Sequence, residues 1–223
     1  MEFWLDTIRA AEVESKARLG LLTGVTTNPE LLSKAKSVEE TLSALLDSFD
    51  GPLAVQVLSS SAKEMVAEGK VLYDFCDRII VKVPVTREGL AAIHELSQFQ
   101  IPTMGTCIFA PEQALLASKA GAEYVALYLT RLEKAGGDSV ELLKSCTQIF
   151  QNYLFDTQIL AASISHIEQV EKCAELAIDA VTLREEIFND LIQDHSLTLE
   201  AVRHFNECQK AEDASLFKVR PTV

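Results

Sequence analysis

Short runs rich in valine, isoleucine and leucine recur along the chain, and most are followed by a longer stretch whose apolar residues return every three or four positions. The first pattern predicts a buried strand and the second an amphipathic helix. Glu2–Asp6 and Leu21–Thr27 read as the first two strands, around a helix from about Thr7 to Arg18 with Ala10, Val13 and Ala17 on one face. Pro29 suits the first turn of the next helix. That helix runs to about Phe49, with a break near Ser37, where Ser37-Val-Glu-Glu40 reads as a capping box. After the Asp50-Gly51-Pro52 turn come a strand over Leu53–Leu58 and a helix over Ala62–Phe75, capped from the serines at 59 to 61. The stretch Asp77–Val85 holds the fourth strand, and Thr86–Phe99 its helix. Strands over Ile101–Phe109, Glu123–Leu129, Gln158–Ile164 and Ala180–Leu183 follow, with helices from Pro111 to Gly121, Asp138 to Gln151 and His166 to Ala177. Two further helices, Glu185–Gln193 and Thr198–Glu212, end the pattern.

Strands that alternate with helices imply parallel pairing, because each crossover must return the chain to the same end of the sheet. Eight such units predict a parallel (β/α)₈ TIM barrel with an extra C-terminal helix. A doubly wound open sheet is the weaker alternative, since no strand leads into a GxGxxG or GxxxxGK phosphate loop. Composition fits one domain over residues 1–223, with 197–223 as a C-terminal helix and tail: 48% of residues are hydrophobic and 24% charged. The formal charge of −13 argues against nucleic acid or anionic membrane as a partner but leaves room for a small anion in a basic pocket. Five scattered cysteines without a CxxC pair read as reduced packing residues of a cytoplasmic protein, not a zinc or disulfide framework. Neither an export leader nor an apolar run long enough for a bilayer is visible.

Alternation then separates the faces of each strand. In Ile79-Ile-Val-Lys-Val-Pro-Val85, Ile79, Val81, Val83 and Val85 share one side, while Ile80, Lys82 and Pro84 share the other. A lone lysine there would ordinarily snorkel to water. The other strands change that reading, because each carries polar groups on its minority face near its C-terminal end. Asp6, Thr26, Asn28, Gln56, Thr106, Tyr128, Ser163 and Thr182 are predicted to converge with Lys82 at one barrel mouth. In the seventh strand Ala161, Ser163 and Ser165 are expected inward, against Leu160, Ala162 and Ile164. A buried polar layer is costly unless its members bind each other, water or a ligand. Lys82 is therefore the candidate nucleophile, an amine whose pKa is lowered by desolvation.

Gly24-Val-Thr-Thr-Asn-Pro29, Val81-Lys-Val-Pro-Val-Thr86 with Glu88-Gly-Leu-Ala-Ala-Ile93, and Ala122-Glu-Tyr-Val-Ala126 resemble the small transaldolase and fructose-6-phosphate aldolase family, over nearly the whole chain. The resemblance implies a metal-free class I aldolase without a cofactor, built on a (β/α)₈ barrel. It also implies ring-shaped homo-oligomers, pentamers or decamers, in which the extra helix packs on a neighbouring subunit. It assigns Lys82 to the Schiff base, Asp6 to acid/base work and donor hydroxyls, and Asn28, beside Thr26, to orienting hydroxyls. Gln56 and Thr106 match groups that hold a catalytic water, Tyr128 an acid/base hydroxyl, and Ala126 the donor pocket.

Transaldolases of this kind usually carry Glu and Phe where this chain has Gln56 and Tyr128, so the resemblance favours an aldolase that releases dihydroxyacetone from a ketose. Transfer of that unit to an acceptor aldose is the alternative, and a non-catalytic barrel that binds a sugar phosphate is a third. Arg131 and Ser163 match the family's phosphate grip, but Ser165 stands where a basic residue is usual, which favours a weakly held or unphosphorylated aldehyde. The four histidines lack metal-ligand spacing and are expected at the surface. Leu199, Val202 and Phe205 form an apolar stripe on the last helix, suited to closing the barrel bottom or facing a second subunit. Leu216 and Phe217 mark a tail that would drape over that neighbour.

Overall fold

A computed structural model describes residues 1–211, with side chains through residue 208, so the tail carrying Leu216 and Phe217 lies outside the described residues. The chain divides into a barrel unit, Met1–Phe188, and a C-terminal unit that begins at Asn189. The barrel unit opens with β1 (Glu2–Asp6), α1 (Ala10–Ala17), β2 (Leu22–Thr26), α2 (Pro29–Leu32), α3 (Val38–Ser48) and β3 (Leu53–Gln56). It continues through α4 (Ala62–Phe75), β4 (Ile79–Pro84), α5 (Arg87–Gln98), β5 (Thr103–Ile108), α6 (Pro111–Ala120) and β6 (Tyr124–Tyr128). Then come α7 (Leu129–Lys134), α8 (Ser139–Tyr153), β7 (Gln158–Ala162), α9 (Ile167–Glu175), β8 (Ala180–Leu183) and α10 (Glu185–Leu191), which runs past the division.

The strands close into an eight-membered parallel barrel in sequence order. Pairing of Glu2 with Ala180 and Leu5 with Leu183 joins the first strand to the last. The expected element order stands, with two refinements. The helix after Pro29 is two helices, and Ser37 caps the second by accepting from the Glu40 amide at 3.3 Å. A short helix, α7, fills a region expected to be loop. Thr86 caps α5 by accepting from the Gly89 amide at 3.0 Å, and Gly121 ends α6 at φ 103°, a left-handed position that glycine takes without strain.

On β4, Ile79, Val81 and Val83 are fully buried, on the outward face that strand alternation places beneath the helices. Ile80 faces in and joins Trp4, Met104, Tyr124, Leu160 and others in the barrel's inner cluster. Trp4 is the plug. Its ring meets Tyr124 edge-on at 5.3 Å between centroids, and a Cβ on Gly24 would lie 2.5 Å from it. Glycine at that point of β2 is what lets an indole fill the interior. Burying a side chain of this size, roughly 200 Å², contributes about 5 kcal/mol as an upper estimate. The polar edges are met below, where the Trp4 indole and the Tyr124 hydroxyl both donate to Glu2 Oε2, at 2.9 and 3.2 Å. The plug fills the barrel interior below the strands' C-terminal ends.

The C-terminal unit contains α11 (Ser196–Ala211). Leu199, Val202 and Phe205 are 46%, 49% and 67% exposed, an apolar stripe on that helix exposed among the described residues. No helix of the described residues is long and apolar enough to cross a membrane.

Candidate active site

Lys82 sits where alternation predicts, on the inward face of β4, in register with Gln56 of β3 and Met104 of β5. It is only 5% exposed. Its ammonium donates to the Thr27 carbonyl at 2.8 Å, a single fixed partner for a group with three donors. Burial holds the amine below the ordinary lysine range, while the negative charge of Asp6 and, less strongly, Cys107 pull the other way. The neutral, nucleophilic form is therefore more populated near neutral pH than in a solvated lysine. Lys82 opens into a cavity at the C-terminal ends of the strands, about 650 Å³ including solvent at its mouth, that also exposes Asp6, Asn28, Ala126 and Tyr128.

Asp6, at the end of β1, accepts from the Thr26 hydroxyl at 2.8 Å and from the Asn28 amide at 3.4 and 3.3 Å. Its carboxylate is thus part of the site instead of a cap on α1, which begins only at Ala10. Thr26 and Thr182 hydroxyls lie 2.7 Å apart, joining β2 to β8 across β1. Asn28 is held in turn because its side-chain oxygen caps α2, accepting from the Leu31 amide at 2.9 Å. Side chains fixed at both ends lose little further entropy when they meet a ligand.

On the opposite wall the Thr106 hydroxyl donates to the Tyr128 oxygen at 3.1 Å. The phenol's own proton is not engaged by Thr106. Burial pushes the Tyr128 pKa up to about 12, with the Thr106 hydrogen bond opposing it, so the hydroxyl stays protonated near pH 7. Phe109 packs edge-on against the ring at 5.6 Å and the Arg131 guanidinium lies 5.1 Å from its centroid.

The convergence expected from the strands is incomplete. Lys82, Asp6, Asn28, Ala126, Tyr128, Arg131, Ser163 and Thr182 line the cavity. Thr26 and Thr106 are fully buried behind Asp6 and Tyr128, as supports. Gln56 pairs with Lys82 and lies two residues after inward Ala54, so alternation keeps it on the inner face of β3, although it is absent from the cavity lining and also borders an apolar groove with Leu32, Leu42 and Leu72. The Val57 amide still donates to the Lys82 carbonyl at 3.0 Å, so pairing with β4 continues past Gln56. The faces of β7 are reversed from expectation: Leu160 and Ala162 point in. Ser163 still reaches the cavity because its φ is 58°, and a left-handed residue at the strand's end breaks the alternation. Ser165 does not line it.

Three cavity-side residues escaped the pattern. Cys107 lies where β5 slips register against β6, at φ 61°, and so turns its thiol against the inner cluster despite following inward Thr106. It packs against the inner cluster between Lys82 and Tyr128, the two groups whose environment it shares. Cys146 and Cys173 are buried packing residues as expected. Glu30, in the first turn of α2, and Arg184, just past β8, also face the cavity. A rule that asks for inward-pointing strand residues cannot find either. The histidines are all exposed, and the described residues contain no cluster that could hold a metal.

The "Transaldolase/Fructose-6-phosphate aldolase" family matches this chain over residues 3–220. A "Probable transaldolase" of Aquifex aeolicus is 39% identical over 199 residues, covering 89% of this chain and 91% of that protein. A "Probable transaldolase" of Maricaulis maris is 40% identical over 206 residues, covering 92% and 94%. Another, of Prosthecochloris aestuarii, is 36% identical over 227 residues, covering 98% and 99%. Among solved structures, one titled "Native KDPGal structure" aligns with a TM-score of 0.56 over 81% of this chain and 80% of that one, at 14% identity, a likeness of fold alone. With matches of this length and identity, the chain belongs to the transaldolase/fructose-6-phosphate aldolase family.

Proposed function

We propose that the protein takes a dihydroxyacetone unit from a ketose as a Schiff base on Lys82 and passes it to an acceptor aldose. The observation that carries the chemistry is a desolvated lysine opening into a strand-end cavity beside a carboxylate and a phenol. The neutral amine adds to the ketone, and loss of water from the carbinolamine leaves an iminium ion. That cation accepts the electron pair of the bond between the third and fourth carbons as it breaks, and the fourth carbon leaves as an aldehyde. Asp6, held by Thr26 and Asn28, is placed to hold donor hydroxyls and to move protons. The enamine that remains then adds to a second aldehyde.

Transfer ranks above release because relatives at 36–40% identity are named transaldolases, a reversal of the order expected from sequence. Release of free dihydroxyacetone is the second reading. It was to rest on Gln56 and Tyr128, and Gln56 is not among the residues that line the cavity. Tyr128 keeps it alive, as a phenol with its proton available to quench the enamine.

Borohydride added during incubation with fructose 6-phosphate should fix a three-carbon adduct on Lys82, found by mass spectrometry of the peptide. No adduct with any ketone donor sinks the Schiff-base reading and leaves a sugar-phosphate-binding barrel. Partition is measured separately, as dihydroxyacetone released per unit transferred to erythrose 4-phosphate. Tyr128→Phe should lower release relative to transfer by about 10²–10⁴-fold, the usual worth of a positioned general acid. An unchanged ratio would remove Tyr128 from the protonation step.

The proposal treats the whole chain as one functional domain in the cytoplasm, assembled as a homo-oligomer with sugar phosphates as its substrates. The exposed stripe on α11 supports assembly, since apolar residues so exposed on one helix commonly mark an interface. A monomer mass by light scattering at micromolar concentration would count against it.

A further inference from the structure

We propose that Arg184 is a specificity-determining residue, the second cation of an anion subsite that takes the terminal phosphate of a sugar substrate together with Arg131 and Ser163. This rests on the reading of the cavity as a Schiff-base sugar site.

The position two residues beyond Ser163 is closed to that role. Ser165 accepts from the Thr130 hydroxyl at 3.0 Å, its amide donates to Gln169 at 2.9 Å, and its side chain does not reach the cavity. β7 therefore supplies no cation, and Arg131 is left as the sole basic residue at that end of the wall unless another strand provides one. β8 does. Thr182 points inward and the strand stops at Leu183, so the residue after it leaves the barrel rim at the mouth. Arg184 borders both the cavity and the adjoining cleft that holds Lys34.

Its charge is not consumed by the carboxylate next to it. Glu185 accepts from the Thr7 hydroxyl at 2.5 Å and pairs with Arg9 at 2.7 Å instead. Arg131, by contrast, has Glu30 at 3.8 Å. An arginine facing a carboxylate is a poor phosphate site by itself, because the pair is close to neutral. With Arg184 added, two guanidinium groups face the single carboxylate of Glu30 at the rim, while the other carboxylate of the cavity, Asp6, is held by Thr26 and Asn28, in a protein whose net charge is −13. A phosphate can displace Glu30 from Arg131 and bridge both guanidinium groups, with Ser163 as a hydroxyl donor.

The probes are D-glyceraldehyde 3-phosphate and D-glyceraldehyde as acceptors, with one ketose donor throughout. For wild type and Arg184→Leu, the quantity read is the ratio of kcat/KM with and without phosphate. The ratio should fall roughly 10–100-fold in the variant, the worth of one charge-assisted contact. Loss of the phosphorylated arm should be mainly in KM, and Arg184→Lys should recover part of it. Glu30→Gln should move the ratio the other way, by freeing Arg131. Because misfolding lowers both arms together, it leaves the ratio alone. A ratio in Arg184→Leu within about twofold of wild type overturns the inference. A wild type that forms no borohydride-trapped adduct overturns the underlying reading instead, so the two failures are distinct.

Discussion

Replacing Lys82 by methionine should abolish turnover and, unlike most core substitutions, raise the melting temperature. The loss of rate is at least about 10⁴-fold, because no other amine lines the cavity among the described residues to form the iminium ion. The gain in stability follows from linkage. Burial lowers the Lys82 pKa in the folded protein, and this outweighs the attraction of Asp6. Between the folded value and the unfolded value near ~10.4, the unfolded chain binds a proton that the native chain does not. Stability from this group is therefore lost as pH falls through that window and is regained above it. Methionine fills a similar volume without the desolvation cost, and if this outweighs the lost hydrogen bond to the Thr27 carbonyl the net gain is about 1 kcal/mol near pH 7, roughly 2–4 °C for a chain of this size. The advantage should vanish above about pH 10.4. Thermal melts of both proteins across pH 6 to 10.5 check the sign, and a variant that melts below wild type at pH 7 contradicts it.

The second large effect is expected from Asp6→Asn. The side chain keeps its shape, so Thr26 can still donate to its oxygen, while the Asn28 amide meets a weaker acceptor. What is lost is the base, and kcat should fall by about 10²–10⁴. A second consequence separates this from mere disruption. Asp6 is the leading influence that raises the Lys82 pKa against burial, so its removal lets that pKa drop further. The acid limb of the rate profile should move to lower pH, although the plateau is reduced, and borohydride trapping should extend to more acidic solution than in wild type. An acid limb that stays in place or moves upward would show that the carboxylate does not act on the amine.

Much of this site could be read from the chain because strand alternation is local. Ile79 to Pro84 are extended throughout, so the side occupied by Ile80 determines the side occupied by Lys82. The same holds for Met104 and Thr106 on β5, Tyr124 to Tyr128 on β6 and Thr182 on β8. Alternation fails wherever the backbone leaves the extended region. Ser163 at φ 58° and Cys107 at φ 61° both reach the inside out of phase, and no simple residue count anticipates a left-handed serine or cysteine.

What the amino-acid sequence determined by itself was the order of strands and helices, the faces of the regular strands and the presence of a lysine among them. These follow from short-range sterics and from the period at which apolar residues return. The ring of eight strands put Asp6 and Thr182, far apart in the chain, on adjoining staves, because closure depends on the sum of strand pairings and on no single segment. Only the tertiary structure decided which charges meet at the mouth. Arg184 and Glu30 come from residues just beyond strand ends, where direction depends on packing against neighbours from distant parts of the chain. Lys82 acquired its unusual acidity in the same way, for a lysine in a strand is ordinary until a closed, plugged barrel takes water away from it.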